Sequence, residues 1–427
     1  MMESAAMEPN RRLELLHALA DAISAARGDL IGGIIRSSKK AHCVAAGEVD
    51  LALRRLRAFD QVMPRLAGRE PVGTVAIVFP GNASLSNPVA TIGTAFLAGN
   101  RVVARFPRSS RAWAGQVEPL IASHLPGVRF DDRPGPDFMR AVLVDPEVAV
   151  IMVFGDDTWA ADYEPMIRAS RKKFIFEGPG KDPFLVLPGA GLEQAARDAV
   201  RGAYYNAGQA CTSPERFYVH RDLAREFIDR VVELTRKEVV GEPEREDTTV
   251  GPIVNRWVAG RIASQLEDAV ARGARVLAGG GIRSATLADG TPATYVEPTV
   301  LAGVTSDMAV MQQETFGPVI PVQEVADADE ALALAGNSPY GLAACLYGGS
   351  GDEERALAAS HGQVFQGEIW LDYFARHLHA PYGGRKRSGW VWEWAEGRPV
   401  HRDGARANAV EFSRAAGAEL PGEATND

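Results

Sequence analysis

A lone cysteine, Cys211, stands in Asn206-Ala-Gly-Gln-Ala-Cys211-Thr-Ser-Pro, just before the strand-like run Arg216-Phe-Tyr-Val-His220. Small neighbours let a backbone approach a substrate closely and leave a sulfur reachable. A solitary cysteine is more often a buried structural residue, but two other stretches shift that reading. Phe176-Glu177-Gly-Pro-Gly-Lys181-Asp-Pro183 sets a carboxylate in a Gly/Pro turn, and Phe79-Pro-Gly-Asn82-Ala-Ser-Leu sets an amide just past an apolar strand. Thiol, carboxylate and amide are the minimum set for covalent acyl-type chemistry. Cys211 would attack, Asn82 would donate to the oxyanion, and Glu177 would move a proton.

The elements that must carry these residues alternate. Residues 74–79, 102–106 and Val148–Phe154 are continuous apolar runs, as strands buried on both faces are; helices are expected at 88–99 and 112–125 between them. Leu13, Leu16, Leu19, Ile23 and Leu30 fall at helical spacing and predict one helix over 11–37, with a second over 48–66. Beyond Lys181, helices are expected at 192–203, 223–238, 259–272 and 328–336, and a strand at 368–372. Such alternation predicts an α/β fold built on a parallel, doubly wound sheet. The expected division is a dinucleotide-binding domain at 1–179 and a catalytic domain at 180–386. A segment at 387–427 would return to the first domain or to a subunit interface, with 415–427 as a frayed tail.

A chain of 427 residues is long enough for two or three domains. No apolar run reaches the roughly 18 residues that span a bilayer, and Arg11 and Arg12 precede an amphipathic segment instead of a signal core. The three cysteines, Cys43, Cys211 and Cys345, lie too far apart in sequence for a disulfide framework or a metal motif. A reducing, cytoplasmic setting is therefore expected. The net charge of −9 is spread along the chain without a basic stripe, which argues against nucleic acid as a partner.

The same residues resemble an aldehyde dehydrogenase. The family's cysteine motif is similar to Gly208-Gln-Ala-Cys211, and its Glu-Leu-Gly-Gly-Lys motif to Glu177-Gly-Pro-Gly-Lys181. Further likenesses are Glu314-Thr-Phe316-Gly-Pro-Val, Asn337-Ser-Pro-Tyr-Gly-Leu-Ala343 and Pro381-Tyr-Gly-Gly-Arg-Lys386-Arg-Ser-Gly389. The likeness runs from about Arg11 to about Gly389, and five motifs in family order make it specific. It implies a Rossmann-type cofactor domain, an α/β catalytic domain, and oxidation of an aldehyde to an acid through a cysteine thioester, with NADP or NAD as cofactor. Glu177 favours hydrolysis of that thioester over transfer to CoA, the alternative outcome within the family.

No Gly-x-Gly-x-x-Gly fingerprint is present, so the cofactor positions come from the resemblance. They are Arg105 and Arg108 at the adenosine ribose, Gly155 near the pyrophosphate, and Glu314 with Phe316 at the nicotinamide ribose and ring. Arg105-Phe-Pro-Arg108 carries no acid, which favours acceptance of NADP. Asp156 and Asp157 depart from the family pattern. One could cap a helix, or both could repel the phosphates and leave a non-catalytic relative. At the substrate entrance, Gly81 and Ala83 replace bulkier residues, and Arg376, His377 and His379 are candidates to meet an anionic aldehyde. No metal site is expected. The family's β-hairpin arm, which builds tetramers, has no room between residues 66 and 74, so the expected assembly is a homodimer.

Overall fold

The computed structural model describes residues 7–395, 397–405 and 408–418. Two seven-stranded sheets organise the chain. The first has Thr74–Val78 near its centre, paired in parallel with Arg101–Arg105 on one side and Val148–Phe154 on the other. Val128–Phe130 and Lys173–Glu177 extend it in parallel at either end. An antiparallel hairpin, Gly389–Ala395 with Arg398–Asp403, is then added beside Lys173–Glu177. The apolar runs read from the sequence are these strands, and their side chains are almost all buried. The doubly wound α/β expectation is what the chain adopts.

The second sheet runs Gln363–Gln366, Ala343–Tyr347, Asp182–Val186, Pro214–His220, Val319–Val325, Thr299–Ala302 and Arg275–Ala278, parallel except at the last pair. The chain passes from the first sheet to the second within Gly178–Lys181, between Lys173–Glu177 and Asp182–Val186. Ligands in open α/β sheets collect at the carboxyl ends of strands. Glu177 stands at such an end, at the point where the sheets meet.

Three local expectations are corrected. The single helix over 11–37 is two, Pro9–Ala25 and Arg27–Ser38, broken at Ala26. The break lets Leu16, Leu19 and Ile23 and then Leu30, Ile34 and Ile35 all enter the core. The helix over 48–66 is α-helical only as His42–Arg57; Phe59–Leu66 is a tighter 3-10 segment containing Pro64, which has no N–H to continue an α-helix. The strand expected at 368–372 is instead the start of the helix Trp370–Arg376, which sets Trp370 and Phe374, four residues apart, on one wall of a cavity.

The short linker expected to lack an arm does contain a strand, Arg69–Pro71, which pairs antiparallel with Ser413–Ala415 of the same chain. The run at 408–413 also reads as a strand from its residue types; of it only Ser413 lies in one, Ser413–Ala415. Residues 419–427 of the expected tail lie outside the described residues.

Candidate active site

The cysteine turn follows the helix Leu192–Tyr204. Asn206 and Ala207 both take φ of 54°, a left-handed conformation that non-glycine residues adopt only at a cost. The Asn206 side chain helps hold the turn by donating to Gln209 O at 3.0 Å. Gly180 passes so close beneath that a Cβ there would stand 2.1 Å from the Cys211 carbonyl oxygen. Glycine is the only residue that fits, and this contact ties the Glu177 turn to the cysteine turn.

Cys211 is half-buried and faces a cavity of about 190 Å³. Its Sγ lies 2.9 Å from the Tyr382 hydroxyl, with which it is hydrogen-bonded. Burial pushes the thiol up to about 12; the Tyr382 bond opposes this, and the charges of Asp182, Glu314 and Glu177 add to it. Burial also raises the Tyr382 phenol well above its usual range. Tyr382 therefore keeps its proton, and once Cys211 ionises only Tyr382 can be the donor. The sequence motif contained Tyr382 without revealing this contact.

Asn82 lies in the same cavity wall as Cys211. Its amide nitrogen donates to Gln209 O at 3.4 Å, a long bond that an oxyanion can replace. The turn carrying Asn82 is held by a buried pair not anticipated from sequence. Lys40 Nζ donates to Asn82 O at 2.7 Å and is paired with Glu48. Glu48 in turn accepts from the backbone N–H of Ser84 and of Leu85, both at 2.9 Å.

Glu177 does not line the cavity; it is buried, and its Oε2 accepts from Gly384 N at 3.3 Å. A Cβ on Gly383 would stand 2.3 Å from Glu177 Oε1, so that glycine permits the close approach. Behind Glu177, Lys181 donates to Glu215 at 2.8 Å and to Thr315 Oγ1 at 2.9 Å. Glu215 also accepts from the Thr315 and Phe316 N–H groups. Lys181 thus anchors the turn that presents Glu314. Burial, then the neighbouring Glu215, raises the Glu314 carboxyl to about 8, while Arg261, 3.6 Å away, pulls the other way. Phe316 sits beside it in a left-handed conformation, φ 54°.

At the carboxyl end of Arg101–Arg105, the Arg105 guanidinium is buried, donates to Arg133 O at 2.9 Å, and has its pKa lowered by burial and then by Arg108 and Arg111. Arg108 is exposed. A group of three guanidiniums fits a phosphate-bearing cofactor. Gly155 follows the strand Val148–Phe154, on the other side of Thr74–Val78 from Arg101–Arg105, and Asp156 caps the helix Asp157–Ala169 by accepting from Thr158 N at 2.8 Å. Asp157 is paired with Arg387. Both departures from the family pattern thus have local partners, and Asp157's charge is offset before any phosphate arrives.

The entrance differs from expectation. Ala83 and His379 line the cavity, but Gly81 does not; a Cβ there would meet Ser109 Oγ at 3.2 Å, beside Arg108. Arg376 is exposed and tied to Glu368. His377 leans on the Tyr373 ring at 4.6 Å and is also absent from the cavity wall. Burial lowers His379 to about 4, so it is neutral near pH 7 and offers no charge to an anion.

The aldehyde dehydrogenase family model matches residues 2–397. A succinate-semialdehyde dehydrogenase [NADP(+)] of Mycobacterium avium is 30% identical over 403 residues, covering 90% of this chain and 83% of that one. A betaine aldehyde dehydrogenase of Brucella anthropi is 36% identical over 222 residues, 51% of this chain and 44% of that relative's length. Among solved structures, aldehyde dehydrogenase KauB of Pseudomonas aeruginosa superposes with a TM-score of 0.84 at 26% identity, covering 96% of this chain and 84% of that one. With the two-sheet fold and the cysteine turn at their junction, these likenesses are sufficient: the chain belongs to the aldehyde dehydrogenase family of NAD(P)-dependent oxidoreductases.

Proposed function

We propose that the chain oxidises an aldehyde to the carboxylic acid through Cys211. The observation that carries this reading is the shared cavity wall of Cys211 and Asn82, with Glu177 buried close enough for its charge to act on the thiol. The Cys211 thiolate adds to the aldehyde carbon, and the resulting alkoxide takes hydrogen bonds from the Asn82 amide and the Cys211 backbone N–H. Losing one such donor typically costs about 10²–10³ in rate. A bound nicotinamide cofactor supplies the hydride acceptor that makes oxidation to the thioester possible. Glu177 then takes a proton from water, which attacks the thioester, frees the acid and restores the thiol. The test is NAD(P)H formation across a panel of aldehydes; its absence with every aldehyde would remove the reading.

Arg105 and Arg108 would hold the adenosine end, Gly155 the pyrophosphate, and Glu314 with Phe316 the nicotinamide end. The guanidiniums favour a 2′-phosphate, so NADP should be accepted. Arg108→Ala should weaken NADP at least fivefold more than NAD, about the share of one charge-assisted contact. A clear preference for NAD that is unmoved by the substitution would refute this.

The assembly is a homodimer at a cytoplasmic site. The strand Arg69–Pro71 is three residues long and pairs with Ser413–Ala415 of its own chain, too short to serve as the arm through which tetramers are built. Light scattering at micromolar concentration should report two chains; a stable tetramer would contradict it. No helix among the described residues is long and apolar enough to cross a membrane.

A further inference from the structure

The cavity holds a cation that the proposed chemistry does not use. Arg55 lies on the helix His42–Arg57, one turn beyond Leu51, and both side chains line the cavity with Cys211. One nitrogen, Nη1, donates to Ser86 O at 2.9 Å. The buried Nε has no hydrogen-bond partner, and no carboxylate among the described residues forms an ion pair with this guanidinium. Glu48 also reaches the cavity wall, but it is engaged by Lys40 and by two backbone N–H groups. Burial lowers the Arg55 pKa to about 10. Nearer the surface, Arg65 lines the same cavity and donates only to His379 O, at 2.6 Å.

A desolvated guanidinium whose nearby carboxylate, Glu48, is already paired with Lys40 is expensive to keep. Its Nη2, which makes no hydrogen bond among the described residues and is not sealed off as Nε is, can donate to an oxygen of a carboxylate in the cavity. One such donor suits a monoanion and is too little for a phosphate dianion. We infer that Arg55 binds a carboxylate on the substrate, so that the preferred aldehydes are short semialdehydes carrying a carboxylate at the end away from the carbonyl. Arg65, at the outer part of the cavity, draws the anion inward. This specificity rests on the reading of Cys211 as the nucleophile. It replaces the anion contact expected from Arg376 and His377, which the fold turns away from the cavity.

The test compares kcat/KM for a linear semialdehyde with that for its methyl ester, in the wild type, Arg55→Met and Arg55→Lys. The wild type should favour the carboxylate. Arg55→Met should lower the ratio of the two values roughly 10- to 100-fold, the range of a charged hydrogen bond, through KM more than kcat. Arg55→Lys, which keeps the charge and loses the reach of the guanidinium, should recover only part. It carries the comparison alone if the methionine variant no longer unfolds cooperatively. Calorimetric binding of glutarate gives a readout without turnover; glutarate should bind the wild type and bind Arg55→Met at least tenfold more weakly. A wild type without preference, or folded variants with an unchanged ratio, would overturn the inference and leave aldehyde oxidation intact. If no aldehyde is oxidised, the mechanism fails and glutarate binding still decides the role of Arg55, for or against.

Discussion

Cys211→Ala should lower NAD(P)H formation to below about 10⁻³ of the wild-type rate, as expected when a covalent nucleophile is removed, without loss of the folded state. The site tolerates the change because the turn is held by Asn206, Gln209 and the Gly180 contact, none of which uses the sulfur. A purified variant retaining several per cent of the rate would show that another group attacks. The same thiol makes a pH prediction. Its pKa is raised to about 12, so in the protein without cofactor the thiolate is scarce near neutrality. Alkylation by iodoacetamide should then rise about tenfold per pH unit from pH 7 to 10, because the thiolate is the reacting form. A plateau near pH 8 would mean that the Tyr382 bond outweighs burial.

Glu177→Gln should separate the two halves of the reaction. The amide can replace the carboxylate in size and can accept from Gly384, but it cannot take a proton from water. The first turnover should stay within a few-fold of the wild type, while steady-state turnover falls about 10²-fold or more, the usual contribution of a general base. Rapid mixing with excess aldehyde should therefore show a burst of NAD(P)H followed by a slow phase. An equal fall in both phases would place Glu177 at the deprotonation of Cys211 instead.

The proposed nucleophile and base stand out in the sequence because such chemistry needs uncommon residue types, here set in short glycine-rich turns. The strands of the first sheet were equally plain, since burial on both faces leaves an unbroken apolar run; Val148–Phe154 is read end to end. What escaped was set by contacts distant in sequence. Arg55 sits on an amphipathic helix, where an arginine reads as solvated surface until the Trp370–Arg376 helix is brought over it. The strand expected at 368–372 is the start of that helix: Ile369 is buried while Trp370 and Leu371 both line the cavity, a placement that the residue types alone do not distinguish from a strand. Lys40 and Glu48 carry no motif; only the fold shows that they brace the Asn82 turn. The pairing of Arg69–Pro71 with Ser413–Ala415 spans most of the chain and leaves no periodic mark in either segment.

The hairpin at the edge of the first sheet also bears on how the protein is made. Trp390 stacks on Phe174 and Phe176, with ring centroids 5.6 and 5.0 Å apart, and Val391, Ala405, Ala409 and Phe412 complete the first hydrophobic core. All of these are synthesised after the entire second sheet. A chain emerging from the ribosome therefore presents Lys173–Glu177 as an unpaired sheet edge, with Phe174 and Phe176 not yet covered by Trp390, until residues 389–395 are made. Unpaired edges of this kind are where nascent chains stick to one another. The first sheet is therefore begun before the second and completed after it, so a message cut before residues 389–412 would release a chain whose first sheet is the unfinished one.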